Sequence, residues 1–266
     1  MFKKMAFSCG LFSGIVLSLL FSTEAQAQIF PRLSSFFQGS SPCVMFTDAP
    51  LQVYYEGERR SIFNAQDLDG WTNSKGELPG KGWKVEDGMI FRESGSGDLY
   101  LQGEYENFIL EFEFKISKKG NSGVKYRSWA PGLGCEYQVY DDINDPKNPP
   151  RYQTASLYDV VLPKAGTKKL KAEEFNKCKI IVMGNHIEHY LNGELIMSID
   201  VGTEEWAKLK EASKFKDMKE YGATTVGRIF LQDHGCQVWF KNLYITELTP
   251  VTKQCRPCFR LMNVCR

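Results

Sequence analysis

The segment Phe108 to Ser117, FILEFEFKIS, alternates without a break. Phe108, Leu110, Phe112 and Phe114 fall on one side; Ile109, Glu111, Glu113 and Lys115 fall on the other. Successive side chains of a strand point to opposite faces, so a period of two demands a strand with one apolar and one polar face. Such a strand needs neighbours beside it and a second layer over its apolar face. The rest of the chain supplies them. Val124-Lys125-Tyr126-Arg127 and Glu136-Tyr137-Gln138-Val139-Tyr140-Asp141 alternate in the same way, placing Lys125 with Arg127 and Glu136 with Gln138. Glu86-Asp87-Gly88 and Asn192-Gly193 are hairpin turns between further apolar runs. Gly120-Asn121-Ser122-Gly123 also reads as a turn. An aromatic content of 13% and 23 glycines suit many strands and turns. The expectation is an all-β sandwich of two antiparallel sheets with one short surface helix.

That helix is expected over Thr203 to Met218. Thr203 caps it, Glu204 and Glu205 suit its positive end, and Lys214, Lys216 and Lys219 suit its negative end. Trp206, Leu209 and Ala212 mark its buried stripe. Asp142 to Arg151 is rich in proline and asparagine and reads as a loop.

Residues 1–27 have the form of a secretory signal: Lys3 and Lys4, an uncharged apolar run from Ala6 to Phe21, then the small-x-small site Ala25-Gln26-Ala27. The run is shorter than the roughly 20 residues of a membrane span, and no second one follows. Export to a periplasmic or extracellular space is therefore expected, with no membrane span. Residues 28–60 read as a linker, with an edge strand at Leu51 to Tyr55. The sandwich is placed at 61–248 and a cysteine-containing tail at 249–266. Of the eight cysteines, Cys9 leaves with the signal, and an odd number remains. An oxidising compartment permits disulfides. Cys255-Arg256-Pro257-Cys258 and Cys265 read as disulfide partners for the terminus, with Cys43 within reach, rather than as a redox pair or half a zinc site. A net charge of +1 gives no electrostatic case for nucleic acid or an anionic membrane.

Gly227 to Ile245 reads as two β-strands joined at Asp233-His234-Gly235. Ile229, Leu231, Val238 and Phe240 are core residues. Between them stand Gln232, Asp233 and His234, polar where a core strand would be apolar. Asp233-His234-Gly235 is either a tight turn or part of a site. Four strands thus offer polar pairs: Glu111/Glu113, Lys125/Arg127, Glu136/Gln138 and Gln232/His234. The plain reading is a solvated sheet face. The mixture of both charges, amides and an imidazole is also what a polar ligand site needs.

Seven blocks in order, from Ser61 to Leu248, resemble the 3-keto-disaccharide hydrolase domain family. They are Phe63-Asn64 with Leu68-Asp69-Gly70-Trp71; Trp83 to Gly88; Glu111 to Phe114; Asn121 to Arg127; Glu136-Tyr137-Gln138; Glu188 to Gly193; and Leu231 to Gly235 with Val238 to Asn242. Lys241 stands where the family usually has arginine. Ala172 to Asn176 replaces a Gly-Glu-Trp-Asn run. The resemblance implies a concanavalin-like or laminin-G-like jelly roll with a carbohydrate site on its concave sheet. It also implies action on glycosides already oxidised at carbon 3 by a separate dehydrogenase.

A ketone at carbon 3 makes the carbon-2 hydrogen acidic, so the protein needs a base, an enolate stabiliser and an acid. Imidazoles as a class titrate near neutrality, which suits His234. Glu136 is the expected carboxylate partner or base, with Asp233 beside it. Arg127 or Lys125 would stabilise the enolate. Asn121, Lys125, Gln138, Gln232, Glu111, Glu113, Asp141 and Tyr158 complete the expected substrate contacts. No cofactor is expected. A divalent metal held by Asp233, His234 and Glu136 is the alternative cation, without a close-spaced ligand motif behind it. Two other classes stay open. Glu111 and Glu113 could serve a conventional two-carboxylate glycosidase, although the Glu-x-Asp-x-x-Glu strand of jelly-roll glucanases is absent. A non-catalytic sugar-binding module would use exposed aromatics such as Trp129, unless that ring packs on its own neighbours.

Overall fold

The structure is a computed structural model that describes residues 42–44 (backbone), 53–93, 95–165, 170–171 and 173–251. The expected signal, Cys43 as a disulfide partner and the cysteine tail lie outside the described side chains. The strands are β1 (Pro42–Val44), β2 (Val53–Glu56), β3 (Arg60–Ser61), β4 (Trp71–Thr72), β5 (Trp83–Glu86), β6 (Met89–Arg92), β7 (Leu99–Leu101) and β8 (Phe108–Ile116). They continue as β9 (Asn121–Ala130), β10 (Leu133–Tyr140), β11 (Asn176–Met183), β12 (His186–Leu191), β13 (Glu194–Asp200), β14 (Arg228–Leu231) and β15 (Val238–Pro250). One α-helix, α1 (Glu204–Glu211), is present among the described residues.

Two antiparallel sheets face each other, as the alternation required. A ten-stranded sheet runs β1-β2-β15-β8-β11-β12-β13, with β3 and β6 also on β15 and β5 on β6. A five-stranded sheet runs β10-β9-β14-β7-β4. Phe108, Leu110, Phe112 and Phe114 of β8 are buried between the sheets, meeting Val124, Tyr126, Tyr137 and Val139 of β9 and β10. Phe112 and Tyr137 pack edge to face with centroids 5.4 Å apart, and Phe108 and Tyr126 do so at 6.1 Å. Burying one such ring contributes roughly 1.5–3 kcal/mol, so this seam holds the layers together.

The polar atoms of Tyr137, Tyr126 and His189 inside the seam are paired. The Tyr137 hydroxyl donates to the Tyr190 carbonyl at 2.9 Å. The Tyr126 hydroxyl lies 2.8 Å from His189 Nε2, and His189 Nδ1 lies 3.1 Å from the Ala155 carbonyl. A carbonyl only accepts, so Nδ1 carries the proton and Nε2 accepts from the tyrosine. Burial pushes the His189 pKa down to about 3, so this imidazole is neutral.

Asn192 (φ 49) and Gly193 (φ 89) make the expected two-residue hairpin. Three expectations are corrected. Asn121 is the first residue of β9, so the turn precedes it. The helix stops at Glu211, and Ala212 is exposed; only Trp206 of the expected stripe is fully buried. Ser213 intervenes, because its hydroxyl bonds the Lys210 carbonyl and accepts the Phe215 amide, turning the chain out of the helix. The strand expected in the linker is present as β2, which pairs with β15. Lastly, β14 and β15 do not pair with each other: they lie in different sheets, and Asp233-His234-Gly235 lies on the crossing between them. Ile229, Leu231, Val238 and Phe240 are all buried as expected.

Candidate functional site

The outer face of the five-stranded sheet gathers the polar residues. Register places Glu136 opposite Lys125, Gln138 opposite Gly123 and Tyr140 opposite Asn121. On the other side of β9, Phe230 stands opposite Lys125, and the Gln232 amide donates to the Gly123 carbonyl. Gly123 is the clearing in this array. A Cβ there would lie 2.6 Å from Glu136 Oε1, so the glycine leaves the space into which the carboxylate leans.

Glu136 is the centre. It is 5% exposed. Lys125 Nζ lies 3.3 Å from its Oε2 and also donates to the Gly132 carbonyl at 2.8 Å. Burial raises the Glu136 pKa, while Lys125, Lys214 and His234 oppose the rise. His234 lies exposed on the crossing, near enough to act electrostatically on both Glu136 and Asp98.

Three loops wall this face. The β9–β10 turn folds over Phe230 and Tyr100, with the Gly132 amide donating to the Tyr100 hydroxyl at 2.8 Å. Tyr100 stacks on Phe230 with centroids 4.4 Å apart. Residues 154–158 pair with the free edge of β10: the Tyr158 amide donates to the Glu136 carbonyl, and the Ala155 amide donates to that of Gln138. This edge is tied to the core through Ala155 and His189. The third wall is the excursion after α1. There the Lys214 amide donates to Asp159 Oδ2 at 2.7 Å, and Arg151 Nη1 lies 3.1 Å from Asp159 Oδ1.

Some expected site residues lie elsewhere. Glu111 and Glu113 are on the outer face of the opposite sheet. Glu111 pairs with Arg59 at 2.5 Å, and Glu113 lies 3.8 Å from Lys241. Alternation put polar groups outside on both sheets, and the sequence did not say which sheet each strand joins. Arg127 is wholly buried, with φ of 50°, and Nη2 donates to the Gly184 carbonyl of the opposite sheet. The β9–β14 register slips between Arg228 and Phe230. A bulge of this kind breaks the period of two and turns Arg127 inward, away from Lys125. Asp141 is buried, its carboxylate accepting the Lys119 amide at 2.8 Å and Asn144 Nδ2 at 2.7 Å. It shapes a loop.

Asp233 is near the face but turned from it. Its carboxylate pairs with Arg92 at 2.5 Å and accepts the amides of Ser96 (2.7 Å) and Gly97 (3.0 Å). Burial raises its pKa, but the Ser96 and Gly235 amides and Arg92 outweigh that, leaving it below the ordinary value. A carboxylate so occupied is not offered to a metal beside Glu136 and His234. Among the described residues no group of three or more His, Cys, Asp or Glu side chains is arranged to hold a metal ion. Cys135, Cys178 and Cys236 are free thiols. Trp129 packs edge-on against Tyr221 at 5.8 Å, the neighbour-packed alternative.

The structure brings together Glu136, Lys125, Gln138, Gln232, Asn121, Tyr158 and His234 and adds residues the sequence did not single out. Asp98 accepts the Asp233 amide at 2.9 Å, and burial raises its pKa. Lys214 lies with its ammonium 4.3 Å from the Tyr158 ring centroid. Three amide oxygens, Asn121 Oδ1, Gln138 Oε1 and Gln232 Oε1, are buried with no hydrogen-bond partner among the described residues. Unmet acceptors around a buried acid are what a hydroxyl-rich ligand would satisfy.

Residues 58–246 match the family described as 3-keto-alpha-glucoside-1,2-lyase-like domain. The chain belongs to this family. A curated relative, the 3-keto-disaccharide hydrolase of Bacteroides thetaiotaomicron, is 34% identical over 232 residues, covering 71% of this chain and 78% of its own. A crystal structure of a glycosyl hydrolase candidate from Parabacteroides distasonis ATCC 8503 superposes with TM-score 0.65 at 32% identity, covering 71% of this chain and 93% of that one. A second from the same organism gives 0.56 at 24% identity, covering 71% and 98%, and speaks for the fold alone. With family, fold and relatives agreeing, the chain is an enzyme of the glycoside hydrolase class.

Proposed function

We propose that the protein cleaves the glycosidic bond of glycosides and disaccharides carrying a ketone at carbon 3, by elimination followed by hydration. The observation that carries this reading is the Glu136 carboxylate. It is buried at the floor of the site, is raised in proton affinity, and is held by Lys125 within electrostatic reach of His234. A carboxylate with raised proton affinity is the stronger base.

Glu136 takes the proton from carbon 2. The C–H electron pair forms the C2–C3 double bond, and the carbonyl π pair moves onto the carbon-3 oxygen. When that enolate collapses, C3=O re-forms, a C1–C2 double bond appears, and the bond from carbon 1 to the aglycone oxygen breaks. The departing oxygen takes a proton from His234. Water then adds across C1–C2: its hydroxyl goes to carbon 1, carbon 2 regains a proton from Glu136, and the remaining water proton restores His234. The net change is hydrolysis. Asp233 serves by fixing the His234 crossing, and Asn121, Gln138 and Gln232 accept sugar hydroxyls. All these groups belong to the chain, so no cofactor enters the scheme.

Such a substrate must be supplied by an oxidoreductase that acts on the carbon-3 hydroxyl of a sugar. We also propose export, on the form of residues 1–27. The N-terminal residue of the protein recovered from its native cell tests this, with Gln28 expected.

Product analysis of a 3-keto-glucoside in deuterated water tests the chemistry. Deuterium at carbon 2 of the released sugar, at a level above spontaneous exchange, is expected. Release of an unlabelled 3-keto-sugar would favour direct hydrolysis, and turnover of the unoxidised glycoside would overturn the substrate class.

A further inference from the structure

The elimination scheme leaves one role unfilled. Negative charge accumulates on the carbon-3 oxygen, and a donor must meet it there. Each nearby cation other than Lys214 is either engaged or shut inside the sandwich. Lys125 bonds the Gly132 carbonyl and Glu136 and is 12% exposed. Arg92 is committed to Asp233 and the Cys236 carbonyl. Arg228 donates to Thr72 and the Leu101 carbonyl while lying over the Tyr100 ring. Arg127 is inside the sandwich.

Lys214 differs. Its ammonium has no hydrogen-bond acceptor among the described residues. It rests over the rings of Tyr158 (4.3 Å) and Phe215 (5.0 Å), is exposed, and is electrostatically coupled to Glu136 and Lys125. Its backbone is fixed from three sides. Asp159 holds the Lys214 amide and Arg151. Phe215 stacks on Tyr221 at 4.2 Å, and Tyr221 stacks on Trp206 of α1 at 5.7 Å. Lys210 Nζ caps the Tyr221 carbonyl at 2.9 Å. A cation on a fixed base with its donors free is suited to a ligand rather than to the fold.

We propose that Lys214 is the catalytic residue that meets the sugar's 3-keto oxygen: its ammonium, held over the Tyr158 ring beside Glu136, donates to that oxygen and stabilises the enolate formed when carbon 2 loses its proton. The balance is that of the scheme above; Lys214 donates a hydrogen bond and keeps its proton. Burial and the neighbouring Lys125 lower its pKa, against Glu136 and Asp159, making it a better donor to an oxyanion. Tyr158 supplies the ring face that positions the ammonium. The sequence offered no sign of this. Lys214 looked like a charge completing a helix end, and the helix stops before it.

The inference rests on the elimination reading, and the experiment separates the two. Wild type, Lys214→Met and Lys214→Arg are compared on 4-nitrophenyl 3-keto-glucoside in deuterated water, following both aglycone release and deuterium entry at carbon 2 of unreacted substrate and product. The unfolding midpoint serves as the check on folding. Lys214→Met is expected to lower both rates about 10²–10³-fold, mainly in kcat, with Lys214→Arg recovering part of the loss and the midpoint unchanged. Aglycone release by Lys214→Met within threefold of wild type would overturn the assignment. So would loss of release with exchange retained, which would make Lys214 the leaving-group acid. Wild type that releases the aglycone without deuterium entry would remove the elimination reading itself, and this role with it.

Discussion

Arg92 and Asp233 join β6 to the crossing that carries His234, through a buried ion pair with Nη2 2.5 Å from Oδ1. The pair sits where the chain leaves one sheet for the other. Asp233 also gathers the amides of Ser96, Gly97 and Gly235, so one carboxylate organises two loops. Removing one member of a buried pair strands its partner in low dielectric and typically costs about 3–5 kcal/mol. Asp233→Ala is therefore expected to lose roughly that much in urea unfolding, while Arg92→Met with Asp233→Leu loses less than Asp233→Ala alone. If Asp233→Ala unfolds at the wild-type midpoint, the pair does not organise the crossing.

Glu136→Gln keeps the size and one acceptor of the side chain and abolishes its basicity. A fall in kcat of at least about 10²-fold is expected, with near-native circular dichroism. The pH profile carries a second test. Glu136 must be ionised to act, and burial raises its pKa, so the acidic limb of kcat/KM should lie above the ordinary glutamate value of about 4.3. Lys125 opposes that rise, so Lys125→Met should move the limb further towards alkaline pH. A limb that moves the other way would show that Glu136 is not the group titrating.

Glu111 and Glu113 give the opposite expectation. They face outward from the ten-stranded sheet, and the Glu111–Arg59 pair is solvent-exposed. Glu111→Gln and Glu113→Gln should leave kcat/KM within about twofold and stability within about 0.5 kcal/mol. A large loss of activity in either would revive a conventional two-carboxylate glycosidase.

His189 and His186 make stability depend on pH in opposite directions. The folded pKa of His189 is depressed to about 3 by burial. Its contribution is present above the unfolded value of about 6.5 and is lost as pH falls towards 3, at up to about 1.4 kcal/mol per pH unit. His186 lies between Asp200 (2.8 Å) and Glu188 (3.1 Å), and its pKa is raised, by the Glu188 hydrogen bond most of all. Its contribution is full below about 6.5 and is lost as pH rises through the folded value. Denaturant midpoints measured across pH should therefore flatten on the acid side in His189→Gln and on the alkaline side in His186→Gln. Parallel curves for wild type and His189→Gln would mean that the buried imidazole titrates normally.

Much of the fold was legible because local pattern and global packing agree. The apolar positions of β8 that had to face a core are the ones that do. Where the sequence misled, a rule of local periodicity met a fact of connectivity. Lys125 and Arg127 should share a face, but one extra residue in β9 rotates Arg127 into the core. The Glu111/Glu113 strand reads like the Glu136/Gln138 strand, because alternation tells inside from outside and is silent about which sheet.

The amino-acid order by itself determined the two-layer architecture, the hairpin at Asn192-Gly193 and the presence of Glu136, Gln138, Gln232 and His234 on or beside a polar face. These depend on side-chain period and turn chemistry, which act over a few residues. Only the tertiary structure decided that Asp233 anchors a loop, that Glu111 and Glu113 face away, and that Lys214, far along the chain, comes within electrostatic range of Glu136. Burial, desolvation and ion pairing depend on neighbours brought together by chain closure, and those forces set which polar groups hold the protein together and which stay available for a substrate.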